Sequence, residues 1–135
     1  MQALGRQILI EFCECQSEIL TDRNRVRQYM LEAAHHVGAT VISDTFHHFK
    51  PDGISGVVVI AESHISIHTW PEHRYAAVDV FTCGDSVDPW GVPRYLQEKL
   101  QAENVSSMEI KRGLFPIPLP NTPNCLLYTS DAADE

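Results

Sequence analysis

Apolar positions along this chain follow two periods, one near 3.6 residues and one of 2. The helical period runs from Thr21 or Asp22, either of which can cap a helix, to about Val37. Val26, Met30, Ala33 and Val37 form its stripe, and Gly38 stops it. The same period returns after Asp88-Pro89, which reads as an N-cap followed by proline at the first helical position. Val92, Tyr95, Leu96 and Leu100 then turn inward. Elsewhere β-branched runs predict strands over residues 7–12, 39–43, 56–60, 65–69 and 76–81, with a last strand over 105–111. Lys50-Pro51-Asp52-Gly53 and Pro71-Glu72-His73 carry turn residues. The order β-α-β-β-β-β-α-β with short connections predicts an α+β fold. It is a two-layer α/β sandwich, a mostly antiparallel sheet with two helices on one face. Ile8, Ile10, Val58, Ile60, Ile65, Ile67, Val78 and Val80 alternate as the sheet positions beneath those helices. No internal repeat or linker divides the chain.

Composition narrows the class. At 135 residues, 44% hydrophobic and 21% charged, the chain has the make-up of one globular domain rather than a disordered segment. A net charge of −8 excludes nonspecific nucleic-acid binding through a basic surface. No apolar run approaches the length of a membrane span, and residues 1–6 lack the apolar stretch of a signal peptide. A cytoplasmic protein is the expectation. Cys13, Cys15, Cys83 and Cys125 show neither a metal-type pair nor secreted disulfide spacing, and are expected as free thiols. After Lys111-Arg112-Gly113 the chain turns proline-rich and loses its periodicity. Residues 125–135 resemble the translation of a sequencing-library adapter. The expected domain is therefore residues 1–124, followed by a non-native tail over 125–135.

The polar residues that interrupt the strands carry the chemistry. Ala61-Glu62-Ser63-His64-Ile65-Ser66-Ile67-His68-Thr69-Trp70-Pro71-Glu72 follows the apolar run Gly56-Val57-Val58-Val59-Ile60. A period of 2 puts His64, Ser66, His68 and Trp70 on one face and Ile65, Ile67 and Thr69 on the other. Asp79, Phe81 and Cys83 share a face of the next strand, and Cys83 sits where Gly84 breaks it. Gly53 and Gly56 flank Ser55 at the mouth of the preceding strand. Three chemistries suit these residue types. His64, His68 and Cys83, with His47 or His48, are zinc-ligand types. A serine or cysteine nucleophile could be activated by His68. Glu62-Ser63 could process its own backbone, the hydroxyl attacking the preceding carbonyl. Spacing alone selects none of the three.

The stretch from Glu62 to Glu72 resembles the signature of the prokaryotic S-adenosylmethionine decarboxylase proenzymes, and Ala77-Val78-Asp79-Val80-Phe81-Thr82-Cys83-Gly84-Asp85 resembles that family's second motif. Leu4-Gly5-Arg6, Glu11 with Cys15, Phe46-His47, Gly53 to Ile60, and Asp88-Pro89-Trp90 match as well, so the resemblance spans roughly residues 1–113.

The resemblance implies a pyruvoyl enzyme with no metal, which cleaves itself between Glu62 and Ser63 into residues 1–62 and 63 to the end. Ser63 is then the pyruvoyl precursor. Its carbonyl forms a Schiff base with the substrate amine and draws in the electrons of decarboxylation. Ser55 assists the acyl shift, His68 is the base for elimination, and Cys83 is the general acid. Phe49 and Trp70 wall the adenine site, and Glu72 accepts the ribose hydroxyls. The implied product is decarboxylated S-adenosylmethionine, the aminopropyl donor of polyamine synthesis. The implied assembly is a homodimer of processed protomers, without nucleic-acid or membrane partners. Two positions depart from the family pattern. Arg74 stands beside Glu72 where glycine is common, and Cys13 stands where an aromatic is usual. A cation near the pocket could turn away a sulfonium or pair with Glu72. The alternatives are a related ornithine or arginine decarboxylase, an unprocessed regulatory paralogue, and a zinc protein.

Overall fold

In a computed structural model of the chain, residues 2–115 are described. The expected domain end at 124 and the tail over 125–135 lie outside them. The strands are β1 (Gln2–Cys13), β2 (Val41–His48), β3 (Ile54–Ile60), β4 (Ser63–Trp70), β5 (Tyr75–Cys83) and β6 (Asn104–Phe115). The helices are α1 (Ser17–Leu20), α2 (Arg23–His36) and α3 (Gly91–Leu100), and a 3₁₀ turn spans Pro71–His73. The strands form one sheet in the order β2-β3-β4-β5-β1-β6, antiparallel at every junction.

One face of this sheet is the core. Ile8, Ile10, Val58, Ile60, Ile65, Ile67, Val78 and Val80 alternate inward and are buried against Val26, Met30 and Ala33 of α2 and Val92, Leu96 and Leu100 of α3. The α+β sandwich expected from the sequence is therefore the observed architecture. Asp22 caps α2, its carboxylate accepting the Arg25 N–H at 3.1 Å. Gly38, at φ +79°, follows the helix end. Close packing requires glycine at 56, because a Cβ there would come within 2.0 Å of the Phe46 ring lying across it.

Several element boundaries differ from expectation. α3 begins at Gly91 rather than at Pro89, because Asp88 and Pro89 build a turn instead of a first helical turn. The Asp88 carboxylate accepts the Trp90 N–H, and its carbonyl accepts the Gly91 N–H. α1 has no sequence stripe because its four residues are too few to show one. β2 starts at Val41 and runs on to His48, well past the expected end at Ser43. It is an edge strand, and Asp44, Thr45, His47 and His48 past that point are polar, so no apolar alternation marks that part. Among the described residues, no helix is long and apolar enough to cross a membrane.

Candidate functional site

The hairpin between β3 and β4 turns on two residues, Ala61 and Glu62, since Ile60 pairs with Ser63. Neither is a residue that tight hairpin turns prefer. The positive backbone angle falls instead on the next residue, Ser63, at φ +144°. A serine pays steric strain in that region, which glycine would not. Glu62 is buried, and its carboxylate accepts the Thr40 N–H at 3.1 Å. The adjacent Ala61 N–H returns a bond to the Thr40 carbonyl at 2.8 Å. The Glu62 carbonyl oxygen accepts the Cys83 N–H at 3.0 Å, and Cys83 Sγ lies 3.5 Å from the same oxygen. The scissile position expected from the sequence thus has a fixed carbonyl, a strained serine and the Cys83 sulfur together. Cys13 and Cys15 are free thiols, and burial, with Cys13 adding to it, pushes the Cys15 thiol up to about 11. Cys83 is disulfide-bonded, which corrects the expectation of a free thiol. Sequence spacing gave no partner for it, and any acid role belongs to its reduced form.

At the opposite end of β4, Ser55 Oγ and His68 Nδ1 are 2.7 Å apart, as register partners across β3 and β4. They line a cleft of about 240 Å³ with Phe49, Asp52, Gly53, Trp70 and Glu72. Phe49 and Trp70 are 48% and 41% exposed, large aromatic faces left open to a ligand. Trp70 is stacked on Tyr75 with ring centroids 5.4 Å apart, and Phe49 meets His47 edge-on at 4.5 Å. Thr69 fixes the floor of this cleft, donating to the Leu20 carbonyl and accepting the Ile54 N–H.

The predicted residues therefore fall into two groups. Ser63, Glu62 and Cys83 stand at one end of the sheet, and Ser55, His68, Phe49, Trp70 and Glu72 at the other. Ser63 and His68 are five residues apart on one extended strand, about 16 Å at the usual rise. Arg74 is not a cation in the cleft. It adopts the left-handed conformation at φ +52° and turns its guanidinium to the segment that follows β1, donating to the carbonyls of Cys15 at 2.8 Å and Glu14 at 3.3 Å.

Sequence reasoning placed Asp79 on a face but missed its network. Asp79 Oδ2 lies 3.0 Å from His64 Nε2 and accepts Gln7 Nε2 at 2.8 Å, while Ser66 donates to Oδ1. Burial pushes the Asp79 carboxyl up, and the hydrogen bonds from His64, Ser66 and Gln7 outweigh it, leaving it below its ordinary range. The signal was present in period 2, since Ser66 and Asp79 are register partners on adjacent strands. The zinc set does not assemble. His64 is held by Asp79, His68 by Ser55, and no group of three potential ligands converges among the described residues.

These observations define a small α+β protein, one sheet backed by helices, with a strained seryl peptide at one end and an aromatic cleft at the other. The family model described as S-adenosylmethionine decarboxylase matches residues 6–113. The S-adenosylmethionine decarboxylase proenzyme of Pelotomaculum thermopropionicum is 53% identical over 116 residues, covering 86% of this chain and 92% of the relative. That of Caldanaerobacter subterraneus subsp. tengcongensis is 54% identical over 119 residues, covering 88% and 96%. The crystal structure of adenosylmethionine decarboxylase from Aquifex aeolicus superposes with a TM-score of 0.81 at 33% identity, covering 88% of this chain and 98% of that one. The chain belongs to the S-adenosylmethionine decarboxylase family.

Proposed function

We propose that this chain is a cytoplasmic, self-cleaving, pyruvoyl-dependent S-adenosylmethionine decarboxylase that works as a homodimer and supplies the aminopropyl donor of polyamine synthesis. The observation that carries it is the Glu62–Ser63 peptide, a strained serine following a carbonyl already held by the Cys83 N–H. Ser63 Oγ attacks the Glu62 carbonyl carbon. Charge develops on the Glu62 oxygen, where the Cys83 N–H receives it without rearrangement. The C–N bond breaks and the peptide becomes an ester. Loss of the Ser63 α-proton to a base then expels Glu62 as a free carboxylate and leaves dehydroalanine at 63. Addition of water and loss of ammonia make the pyruvoyl group. His68 suits the base, with Ser55 hydrogen-bonded to it.

The residues present fit that group, since the strained Ser63 begins the second fragment and a buried hydroxyl with no partner among the described residues, Thr82 Oγ1, belongs to its register partner. When formed, the pyruvoyl carbonyl supplies the electron sink for loss of carbon dioxide from an amino acid. The chain's own residues do the rest. Phe49 and Trp70 hold the adenine ring, and their faces attract a sulfonium cation. Glu72 accepts the ribose hydroxyls. Cys83, as a thiol, delivers a proton to the substrate carbon.

One protomer cannot bring His68 to its own Ser63 across about 16 Å of strand. A second copy, laid open face to open face, can bring its His68 end to the first copy's Ser63 end. The open face suits this. Leu9, Val59, Met108 and Ile110 are 38–59% exposed there, around the His64–Asp79 network.

The test is the intact mass of purified, reduced protein. Two chains are expected, residues 1–62 and a chain beginning at 63 with a blocked N-terminus, and Ser63→Ala remains one chain. Carbon dioxide release is expected from S-adenosylmethionine and not from ornithine or arginine. A folded wild-type protein that stays one chain overturns the reading.

A further inference from the structure

Thr82 is 1% exposed, and its Oγ1 is the buried side-chain polar atom that lacks a hydrogen-bond partner among the described residues. An unsatisfied buried hydroxyl costs free energy, and valine would fill the same volume without that cost. The other inward positions of β5 are apolar, namely Ala76, Val78 and Val80. Core packing therefore gives no reason for a hydroxyl at 82.

Its location gives one. Thr82 is the register partner of Ser63. The Cys83 N–H donates to the Glu62 carbonyl, which makes 62 and 83 a hydrogen-bonded pair. The next pair, Ser63 and Thr82, is then the non-hydrogen-bonded kind, whose side chains approach most closely. We propose that the Thr82 hydroxyl is a hydrogen-bond donor held in reserve for the oxygen that self-cleavage leaves at residue 63. This rests on the proposed self-processing.

The atoms account for the change. In the precursor, residue 63 carries a donor hydroxyl. Self-cleavage sends that oxygen into the Glu62 carboxylate. Water then replaces the nitrogen that leaves as ammonia, so residue 63 ends with a new carbonyl oxygen and no hydroxyl. The residue opposite Thr82 thereby loses both its donors, the hydroxyl and the backbone N–H, and is left with an oxygen that can only accept. Thr82 acts as a positioning residue for that carbonyl.

The test places Thr82→Val and Thr82→Ser in two backgrounds, the self-cleaving chain and the uncleavable Ser63→Ala precursor. In the precursor, Thr82→Val is expected to leave the thermal midpoint unchanged or raise it. In cleaved protein it is expected to lower the midpoint by about 3 °C or more. With ¹³C-labelled serine, the infrared band of the residue 63 carbonyl is expected to move to higher frequency in Thr82→Val and to stay at its wild-type position in Thr82→Ser. Thr82→Ala carries the same infrared comparison if Thr82→Val does not fold. Equal midpoint shifts in both backgrounds, or an unmoved band in cleaved protein, overturn the inference while leaving self-cleavage intact. Wild-type protein that never cleaves overturns both.

Discussion

Arg74 shows how one side chain can be misjudged from its neighbours in sequence. Its left-handed backbone costs about 1–2 kcal/mol relative to glycine, and its guanidinium recovers part of this on the Cys15 and Glu14 carbonyls. The Arg74 carbonyl in turn accepts the Cys15 N–H at 2.9 Å, so the turn bearing Glu72 is tied to the end of β1. Arg74→Gly is accordingly expected to leave the preference for S-adenosylmethionine over ornithine and arginine unchanged, measured as carbon dioxide release. A change of substrate would put the cation back in the pocket. Cys83 and His68 divide differently. Compared with reduced wild-type protein, Cys83→Ala is expected to cleave in part yet to turn over about 10²–10⁴-fold more slowly per pyruvoyl group. His68→Ala is expected to stop earlier, as a precursor or ester that hydroxylamine splits. Near-normal turnover in Cys83→Ala would remove the thiol from the mechanism.

At the scale of elements, β4 and β5 hold the polar face together through Asp79. Its folded pKa lies below the unfolded value of about 3.9, so its stabilisation is complete above that pH and is lost as pH falls through the folded value. Wild-type protein is therefore expected to lose stability below about pH 4 more steeply than Asp79→Asn, followed by circular dichroism. Parallel curves would show that the carboxylate contributes no net stabilisation. Elements with a buried stripe were legible from sequence. Val26, Met30 and Ala33, and Val92, Leu96 and Leu100, turned up in the core as expected. The rest was not, for physical reasons. α1 is shorter than two turns, β2 is a polar edge, and Asp88-Pro89 has the residue types of both a cap and a turn. Within the site, the alternation along β4 placed His64, Ser66, His68 and Trp70 together. The strain at Ser63, and a Thr82 hydroxyl without a partner among the described residues, depend on a three-dimensional arrangement that no residue type announces.

At the scale of the molecule, the distance between the two ends of β4 is the feature with most consequence for assembly. If each site joins Ser63 of one protomer to His68 of the other, two defective chains can repair each other. Ser63→Ala and His68→Ala, each uncleaved alone, are expected to yield cleaved His68→Ala chains when coexpressed, because one of the two sites in the mixed dimer then has both groups intact. Mass spectrometry reads this directly, and absence of cleavage in a confirmed mixed dimer would return the whole site to one protomer.

The strand order β2-β3-β4-β5-β1-β6 also decides what cleavage after Glu62 does to the architecture. The first fragment would own β1, β2 and β3, and the second would own β4, β5 and β6. β1 lies between β5 and β6, so a strand of one fragment is clasped on both sides by strands of the other. The two products are interlocked like fingers of opposite hands. Parting them means unpairing β1 on both sides and β3 from β4, so separation of the fragments is unfolding of the sheet.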